Sequence, residues 1–355
     1  MRLAWWPQVA DPRVASFRLR CLRVVGALRA SGHDAFVYQP GKAPPDVLTL
    51  SKRYDPATLL HALELARTSG TKIVLDLCDN HFHFEGDAEG ALASRARYLR
   101  DAVASVDMIT ASSQALADII RQECPQSPAV SIVDDAAEQP SHLRWWQRWT
   151  DSISYASLQQ LNLWHQRNAN VALARRFVWF GNHGSLGVEG GMSDLRHLRA
   201  ILEESFRQAG PLSLTVVSNK REKYEQITAE WKVPTFYLDW HANNFSQVLQ
   251  THSAALIPVT TNSFTVCKTA NRVLTAFQHG LNVIADAIPS YAEFKTCAVL
   301  DDWEFGLNGY SAMAEQRRKD VAEGQRIAHE RYSLERVTAQ WLDAARAATA
   351  LRTRP

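Results

Sequence analysis

The feature that most restricts the fold is a regular alternation of short apolar segments with longer amphipathic ones. Six segments typical of buried strands occur in the first 140 residues: RLAWW, DAFVYQ, DVLTLS, KIVLDLCD, DMIT and AVSIVDD. The alternation resumes at residue 177 with FVWFGN, LSLTVVS, TFYLDW, AALIPV and LNVIAD. Repeated β–α units predict parallel sheets with helices on both faces. The chain is therefore predicted to form two doubly wound, Rossmann-like α/β domains, which bind ligands at the carboxyl ends of their strands.

Length and composition exclude several classes of protein. A chain of 355 residues suits two domains of ordinary size, and 46% apolar residues without a low-complexity tract indicate a globular protein. No apolar run is long enough to cross a bilayer, and MRLAWWPQVADP lacks the apolar core of a signal peptide. Five scattered cysteines without CxxC pairs indicate reduced thiols and a cytoplasmic protein. The net charge of +2 argues against a nucleic-acid binder.

The segment KTANRVLTAFQHGLNVIAD, residues 268–286, combines a helix start with local positive charge. Apolar residues at helical spacing predict the helix, and His279-Gly280 ends it before a buried strand. A helix N-terminus presents unpaired N–H groups and the positive end of the dipole, which together attract anions. With Lys268 and Arg272 at the same place, a phosphate is the natural ligand. A capped surface helix with two solvated cations explains these residues equally well.

The segment between the two halves, residues 141–176, has a different composition. It contains Trp145, Trp146, Trp149 and Trp164, together with five arginines and a single acid, Asp151, at helical periodicity. Such a helix can rest on an anionic membrane face or hold a lipid-linked ligand, which would place the protein peripherally at the inner membrane. The simpler interpretation is a linker helix whose tryptophans pack against one domain.

Several motifs, in this order, resemble a known family. ASFRLRC resembles an opening helix, SIVDDAAE the end of an N-terminal domain, and FVWFGNHGS the first C-terminal strand with its glycine turn. KTANRVLTAFQHGLNVIADAIPSYAEF resembles a C-terminal block of the form K-x-x-N-R … G-L-x-V-I-A … I-P-S-Y, and YSLERVTAQWL resembles a returning final helix. The chain thus resembles GT-B glycosyltransferases, most closely the family 4 (glycosyltransferase group 1) enzymes of bacterial surface-glycan synthesis.

The resemblance implies four regions and a function. An N-terminal acceptor domain over 1–140 precedes the helical linker over 141–176, a nucleotide-sugar domain over 177–330 and a helix over 331–355 that returns to the first domain. The two Rossmann-like domains of such enzymes face a cleft. The implied activity is transfer of a sugar from a nucleotide-sugar donor to a cell-surface glycan or lipid-linked acceptor. It needs neither metal nor cofactor in this fold class, because protein cations offset the leaving diphosphate.

The resemblance also implies a donor site in the second half. Lys268 and Arg272 would neutralise the diphosphate, Thr269 and the helix N–H groups would contact it, and Asn271 would bond it or fix the loop. The remaining donor-site predictions are the turn Gly181, Asn182, His183 and Gly184, the cation Lys220, and the pair Asp239 and Trp240, whose indole could stack on the nucleobase. Lys220 and Trp240 also suit a solvated helix start and a buried aromatic.

The catalytic and acceptor predictions fall in the first half. Asp79 and His81 follow the strand KIVLDL, where a base or a sugar-binding imidazole belongs. His81 and His83 also suit a loop that caps the next helix, and without a second ligand cluster no metal site is predicted. An anionic acceptor would suit Arg13, Arg18 and Arg20 near the first helix, although solvation or pairing to Asp11 explains them as well.

Two departures from the family pattern leave the subgroup and the stereochemical course open. Cys267 and Thr275 occupy the places where family 4 enzymes usually carry two glutamates, and GNHGSLGVEGG lacks the usual basic pair. Two further interpretations follow. The first is a non-catalytic GT-B scaffold that binds a nucleotide sugar or glycan, and the missing glutamates favour it. The second is a non-transferase enzyme such as an epimerase or phosphorylase, for which we find neither the carboxylate set nor the length.

Overall fold

The computed structural model describes residues 1–86, 90–141, 151–184 and 187–351 and divides them into two compact units. Unit 1 comprises Met1–Ala136, Val266–Thr269 and Arg331–Pro355, and unit 2 comprises Ala137–Thr265 and Ala270–Glu330. Each unit is built on one parallel sheet of six strands. The prediction of two Rossmann-like α/β domains is confirmed. The domain boundaries predicted from the sequence stay predictions. Unit 1 also includes the four residues Val266–Thr269 from the second half of the chain.

The strands follow the sequence prediction closely. They are β1 Arg2–Pro7, β2 Asp34–Val37, β3 Val47–Ser51, β4 Lys72–Leu77, β5 Met108–Ala111, β6 Val130–Ile132, β7 Arg176–Phe180, β8 Ser213–Ser218, β9 Thr235–Asp239, β10 Ala254–Ile257, β11 Asn282–Ala285 and β12 Val299–Leu300. Unit 1 has the order β2-β1-β3-β4-β5-β6 and unit 2 the order β12-β11-β10-β7-β8-β9. Because all pairings within each sheet are parallel, the carboxyl ends of neighbouring strands lie at one edge.

Most of the helices connect consecutive strands, and the last two follow the final strand. They are α1 (Ala15–Phe17, the π-helical turn Arg18–Leu22, and Arg23–Ala30), α2 Pro56–Ser69, α3 Ala91–Ser105, α4 Gln114–Glu123, α5 Ser152–Arg167, α6 Leu195–Ala209, α7 Arg221–Thr228, α8 Phe245–Gln250, α9 Asn271–Gln278, α10 Ala314–Tyr332 and α11 Leu334–Ala350. Their ends carry expected signals. Asp55 accepts from the Thr58 N–H at the start of α2, and the Ser113 hydroxyl accepts from the Leu116 N–H at the start of α4.

The sheet of unit 1 is covered on both faces. On one face α1 and α11 pack over β1, and the rings of Trp5 and Trp341 meet edge to face with centroids 5.5 Å apart. The opposite face is packed by apolar residues of α2, α3 and α4. The expectation that the C-terminal helix returns to the first domain is therefore confirmed. Helix α11 also contacts the backbone of the segment after β6, where the Gln340 amide oxygen accepts from the Asp134 N–H at 2.9 Å.

In unit 2, helix α6 packs the apolar stripe of Leu195, Leu198 and Leu202 against the strands β7 and β8. Helix α5 packs beside β9, and its Trp164 stacks on Phe236 of β9 with ring centroids 5.1 Å apart. This contact fits the packing interpretation for one of the four linker tryptophans. Trp145, Trp146 and Trp149 lie outside the described residues, so the predicted membrane contact stays a prediction.

Candidate functional site

The carboxyl ends of β3 and β4 bring Lys52, Asp79 and His81 together in unit 1. Lys52 directly follows β3, and its backbone N–H donates to Asp76 O of β4 at 2.9 Å. Its φ of +53° is uncommon for a residue other than glycine and often marks a functional position. Asp79 lies two residues beyond β4 and forms ion pairs with both Lys52 and Lys268. The predicted catalytic carboxylate and the predicted phosphate ligand are thus in direct contact.

The two lysines fix the charge of Asp79. Burial alone raises the pKa of the Asp79 carboxyl, but Lys268 and Lys52 outweigh it and hold this pKa well below its usual range. A carboxylate with so low a pKa is a weak proton acceptor at neutral pH. Its charge is better suited to holding the two ammonium groups in place than to deprotonating an alcohol. The catalytic assignment of Asp79 stays a prediction.

His81 is held as a neutral imidazole. Burial, and then the positive charge of Lys52, lowers the pKa of His81 to about 3, which outweighs the attraction of Asp79. Nδ1 of His81 lies 2.6 Å from the hydroxyl of Tyr54, and Nε2 lies 3.9 Å from Asp79 Oδ2. The pKa of Tyr54 is raised by burial to about 12, so its phenol keeps its proton. If Tyr54 donates to Nδ1, the ring proton resides on Nε2, which suits a hydrogen bond to a sugar oxygen.

A buried ion-pair network lies beneath this group. Arg20 is 1% exposed and donates to Asp76 from Nη2 at 2.7 Å and to Asp135 from Nη1 at 2.7 Å. The Asp76 carboxylate also accepts from Ser51 and Thr110, while Asp135 accepts from the Thr269 hydroxyl at 3.0 Å. Every partner comes from a different element of unit 1. The described interactions of Arg20 therefore stabilise the fold of unit 1. The described hydrogen bond of the Thr269 hydroxyl is to the Asp135 carboxylate.

The other two predicted acceptor arginines lie on the surface. Arg13 is exposed and pairs with Asp11 at 2.6 Å, as one of the interpretations of the sequence had it. Arg18 donates to the Pro12 carbonyl oxygen at 2.9 Å. The role of these arginines toward an acceptor stays a prediction.

In unit 2, the turn after β7 is a tightly packed glycine loop. A Cβ added at Gly191, where φ is +71°, would lie 2.8 Å from Asn182 O and 2.9 Å from Gly184 Cα. The two parts of the loop touch so closely that a side chain cannot fit between them. Beside the loop, Lys223 donates from Nζ to His183 O at 2.6 Å.

Arg272 borders the start of the same loop. A Cβ added at Gly181 would lie 3.8 Å from Arg272 Cδ. The hydroxyl of Tyr291, whose pKa burial raises, hydrogen-bonds Arg272. Gly181 and His183 thus lie in this loop with Arg272 at its border, and their donor-binding roles stay predictions. Lys223, beside the loop, is a residue that the sequence interpretation missed. Its spacing from Lys220 alone does not single it out, because the sequence does not show which side of α7 faces the loop.

The electrostatics at the loop favour a negatively charged ligand. Burial and then Arg196 lower the pKa of Lys223, which indicates cations placed close together. The nearby carboxyl of Asp194 is buried, and burial raises its pKa. Its Oδ1 accepts from the Thr260 hydroxyl at 2.6 Å. Lys223 and Arg272 therefore border the loop close to one buried acid, Asp194, and a diphosphate would complement the two cations.

The remaining donor predictions occupy the edges of unit 2. Lys220 is exposed at the start of α7, and Asn271 is the first residue of α9. Asp239 accepts from the Tyr237 hydroxyl at 2.9 Å. Half-buried Trp240 lies beside Phe245, with ring centroids 6.1 Å apart, so part of its indole remains accessible for stacking. All of these assignments stay predictions.

Two further findings concern the described residues. No three His, Cys, Asp or Glu side chains among them are arranged to hold a metal ion. None of the described helices is long and apolar enough to span a membrane.

Known structures share this architecture. No protein-family model matches the chain, and a search of curated proteins finds no match. HepE from Anabaena, solved with UDP-glucose, is 13% identical with a TM-score of 0.62 over 99% of this chain and 100% of HepE. Sucrose-phosphate synthase from Thermosynechococcus elongatus is 10% identical with a TM-score of 0.65 over 99% of this chain and 100% of the synthase. TarM is 10% identical with a TM-score of 0.59, and 91% of this chain matches 57% of TarM.

These similarities define the fold. The chain spans the whole of the first two proteins and just over half the length of TarM. Together with the two parallel six-stranded sheets, they show that the chain has the GT-B fold of glycosyltransferases, as the sequence resemblance predicted.

Proposed function

We propose that this protein is a glycosyltransferase that moves a sugar from a nucleotide-diphosphate donor to a glycan or lipid-linked acceptor. The observation that carries the proposal is the glycine loop after β7 with Lys223 and Arg272 at its borders. Close-packed glycines expose backbone N–H groups, and the two cations add charge, which together suit a diphosphate leaving group. HepE was solved with UDP-glucose, and TarM of S. aureus with UDP and alpha-GlcNAc-glycerol, which supports a nucleotide-sugar donor.

In this proposal the chemistry needs no metal ion. As the bond between the sugar and the diphosphate breaks, negative charge grows on the leaving phosphate, and fixed cations lower the energy of that state. Arg272 offers a planar guanidinium that can bind two phosphate oxygens at once, and Lys223 offers a point charge. We expect transfer to continue after chelation of divalent cations with EDTA.

His81 is proposed to bind a sugar hydroxyl near the reacting carbon. Its neutral ring can donate from Nε2 while Tyr54 holds Nδ1 at 2.6 Å. Asp79 then orders Lys52 and Lys268, and burial together with the charge of Lys52 keeps the imidazole from protonating. The acceptor alcohol would lose its proton to another group, such as a phosphate oxygen of the donor, because the pKa of Asp79 is too low for this task.

A thermal-shift panel tests the donor class. UDP, GDP, ADP, CMP and dTDP would each be added with magnesium and with EDTA. A nucleotide at 100 times its dissociation constant adds about 2.7 kcal/mol to the free energy of unfolding. We expect one base to raise the melting temperature with or without magnesium. A panel without any shift would contradict a preformed donor site.

Replacing Arg272 by Gln should weaken binding of the selected nucleoside diphosphate by about 1.5–3 kcal/mol, the scale of a hydrogen bond to a charged group. Calorimetry would measure the affinity. Arg199→Gln is the matched control, because Arg199 is a part-exposed arginine of unit 2 that pairs with Glu203 and Glu230. Equal affinities for the parent and Arg272→Gln would remove Arg272 from the donor site.

Replacing His81 by Ala should lower the turnover number at least tenfold and leave nucleotide affinity nearly unchanged. The reason is that a contact made to the sugar in the transition state contributes to the rate rather than to nucleotide binding. Single-turnover transfer with a radiolabelled donor sugar would separate the two quantities. Full activity of the variant would mean that this loop does not face the reacting sugar.

A non-catalytic scaffold is the second candidate, and one observation favours it. Cys267 stands where family 4 enzymes usually carry a glutamate, and it is fully buried in the core of unit 1. Thr275, at the second such place, cannot act as a carboxylate either. Nucleotide-sugar binding without transfer or hydrolysis of the sugar would establish the scaffold.

A further inference from the structure

A cavity of about 170 Å³ opens beside the Asp79–His81 group in unit 1. Among the described residues its walls include Lys52, Arg53 and Arg95, the two tyrosines Tyr54 and Tyr98, and one carboxylate, Asp55. Two of these residues connect the cavity to the site described above. Lys52 pairs with Asp79, and the Tyr54 hydroxyl contacts His81 Nδ1 at 2.6 Å.

The cavity carries excess positive charge. The Asp55 carboxylate already accepts two hydrogen bonds, from the N–H and the hydroxyl of Thr58, and so caps the start of α2. Arg53 lies 3.7 Å from the same carboxylate, and its guanidinium stacks 4.7 Å above the centre of the Trp6 ring. Among the described residues, Lys52 is thus paired with Asp79 and Arg53 with Asp55, which leaves Arg95 as the third cation of the cavity.

Arg95 is the cation whose charge is least compensated. No carboxylate in the described part of the chain pairs with it, and its buried Nε has no hydrogen-bond acceptor there. Helix α3 positions Arg95 one turn from Tyr98, so the guanidinium and the phenol line the same wall. A buried N–H without an acceptor is costly, and an anion in the cavity that accepts from Nε would remove that cost.

We infer that this cavity binds an acidic group, a phosphate or a carboxylate, carried by the acceptor sugar. The inference rests on the proposed function. The cavity shares Tyr54 with His81, and it is an acceptor pocket only if the sugar is transferred to a hydroxyl near His81. The volume is smaller than the ~300–1,000 Å³ of typical ligand pockets, so it suits one charged group and not a whole oligosaccharide. The apolar faces of Tyr54 and Tyr98 suit the adjoining sugar ring.

The uncommon backbone conformation of Lys52 agrees with this assignment. With φ at +53°, the residue is held in a sparsely populated region at the cavity wall. Such strain persists where the surroundings require one particular side-chain direction. Here that direction places the ammonium between Asp79 and the cavity.

Three sugars that differ at carbon 6 test the inference. Glucose 6-phosphate and glucuronate carry the two acidic groups, and glucose carries a neutral hydroxyl. Calorimetry on the full chain would measure each of them, and UDP in a separate titration. We expect at least one acidic sugar to bind at least tenfold more tightly than glucose; which of them binds distinguishes phosphate from carboxylate. Equal affinity for all three would overturn the inference.

Variants of α3 locate the binding group. Arg95→Gln should weaken binding of the acidic sugar roughly ten- to hundredfold, the range for a lost hydrogen bond between charged groups, without changing UDP affinity. Arg100→Gln removes the same charge from an exposed position of the same helix, where Arg100 pairs with Glu123, and should change neither affinity. If Arg95→Gln does not fold, Arg95→Lys, which keeps the charge but loses the planar fork, should give an intermediate loss.

The two proposals can fail separately. If UDP binds and the acidic sugars do not, the cavity is not an acceptor pocket and the donor proposal stands. If UDP displaces the acidic sugar, the cavity holds a phosphate of the nucleotide and the inference is wrong. If UDP and the other nucleotides fail to bind, the proposed function itself fails.

Discussion

The free energy of unfolding of unit 1 is expected to be about 3–5 kcal/mol lower in the Arg20→Met variant than in the parent protein. Arg20 is 1% exposed and lies between the carboxylates of Asp76 and Asp135. Methionine nearly fills the space but leaves two carboxylates buried without their cation. Native domains unfold with only ~5–15 kcal/mol, so the loss is a large share of the stability.

Thermal unfolding would measure the effect. A change of 1 kcal/mol shifts the melting temperature of a domain of this size by roughly 2–4 °C, so a decrease of roughly 6–20 °C is expected. Arg67→Met is the control, because Arg67 pairs with Glu64 on the surface of α2, where ion pairs contribute less than ~1 kcal/mol. A melting temperature unchanged by Arg20→Met would show that Arg20 is not the buried cation described above. It would also return Arg20 to the acceptor candidates.

The stability of unit 2 is expected to fall steeply as the pH decreases from 6.5 to about 4. Burial, and then the neighbouring His165, lowers the pKa of His252 to about 3. Burial, and then Arg176, lowers the pKa of His165 to about 4. Below pH 6.5 the unfolded chain binds protons at both histidines that the folded chain does not bind. Stability is therefore complete above pH 6.5 and is lost below it, by about 1.4 kcal/mol per pH unit for each histidine.

Urea unfolding between pH 4 and pH 7 would measure this slope. His252→Asn should reduce it by about 1.4 kcal/mol per pH unit, because it removes one of the two protons. An asparagine can still donate to Val248 O, which His252 Nδ1 contacts at 2.8 Å. His329→Asn, at an exposed position of α10, is the control and should keep the slope of the parent. Identical slopes for His252→Asn and the parent would show that His252 is not held neutral by the fold.

The order of strands and helices could be predicted because most segments carry a local signal. Buried parallel strands are continuous apolar runs, and Ser113 marks its helix start with a side chain that can accept a backbone N–H. Two elements without such a signal were not predicted. Strand β12 has only two residues, and the sequence of α10 is so highly charged that no apolar stripe is visible, with Ile327 and Ala328 its buried apolar residues.

The site was harder to predict because its contacts join distant parts of the chain. Asp79 and His81 could be proposed from their place after an apolar strand. By contrast, the partners of Arg20 come from β4 and from the segment after β6, which lie 56 and 115 residues away. Lys52 gave a usable signal, a cation directly after a buried strand. Lys223 required knowing which side of α7 faces the glycine loop, and a single sequence does not contain that information.

The interleaving of the two units has a consequence for how the protein is made. Helix α11 packs on β3 and β4 and its Trp341 meets Trp5 of β1, so the apolar face around Trp5 stays uncovered while residues 334–350 are still unsynthesised. On the ribosome, unit 2 can complete its core before unit 1 does, although unit 1 emerges first. A recombinant fragment that ends near residue 136 would lack Trp341 and the Gln340 contact to Asp134. Such a fragment is expected to aggregate unless residues 334–350 are supplied as a second chain.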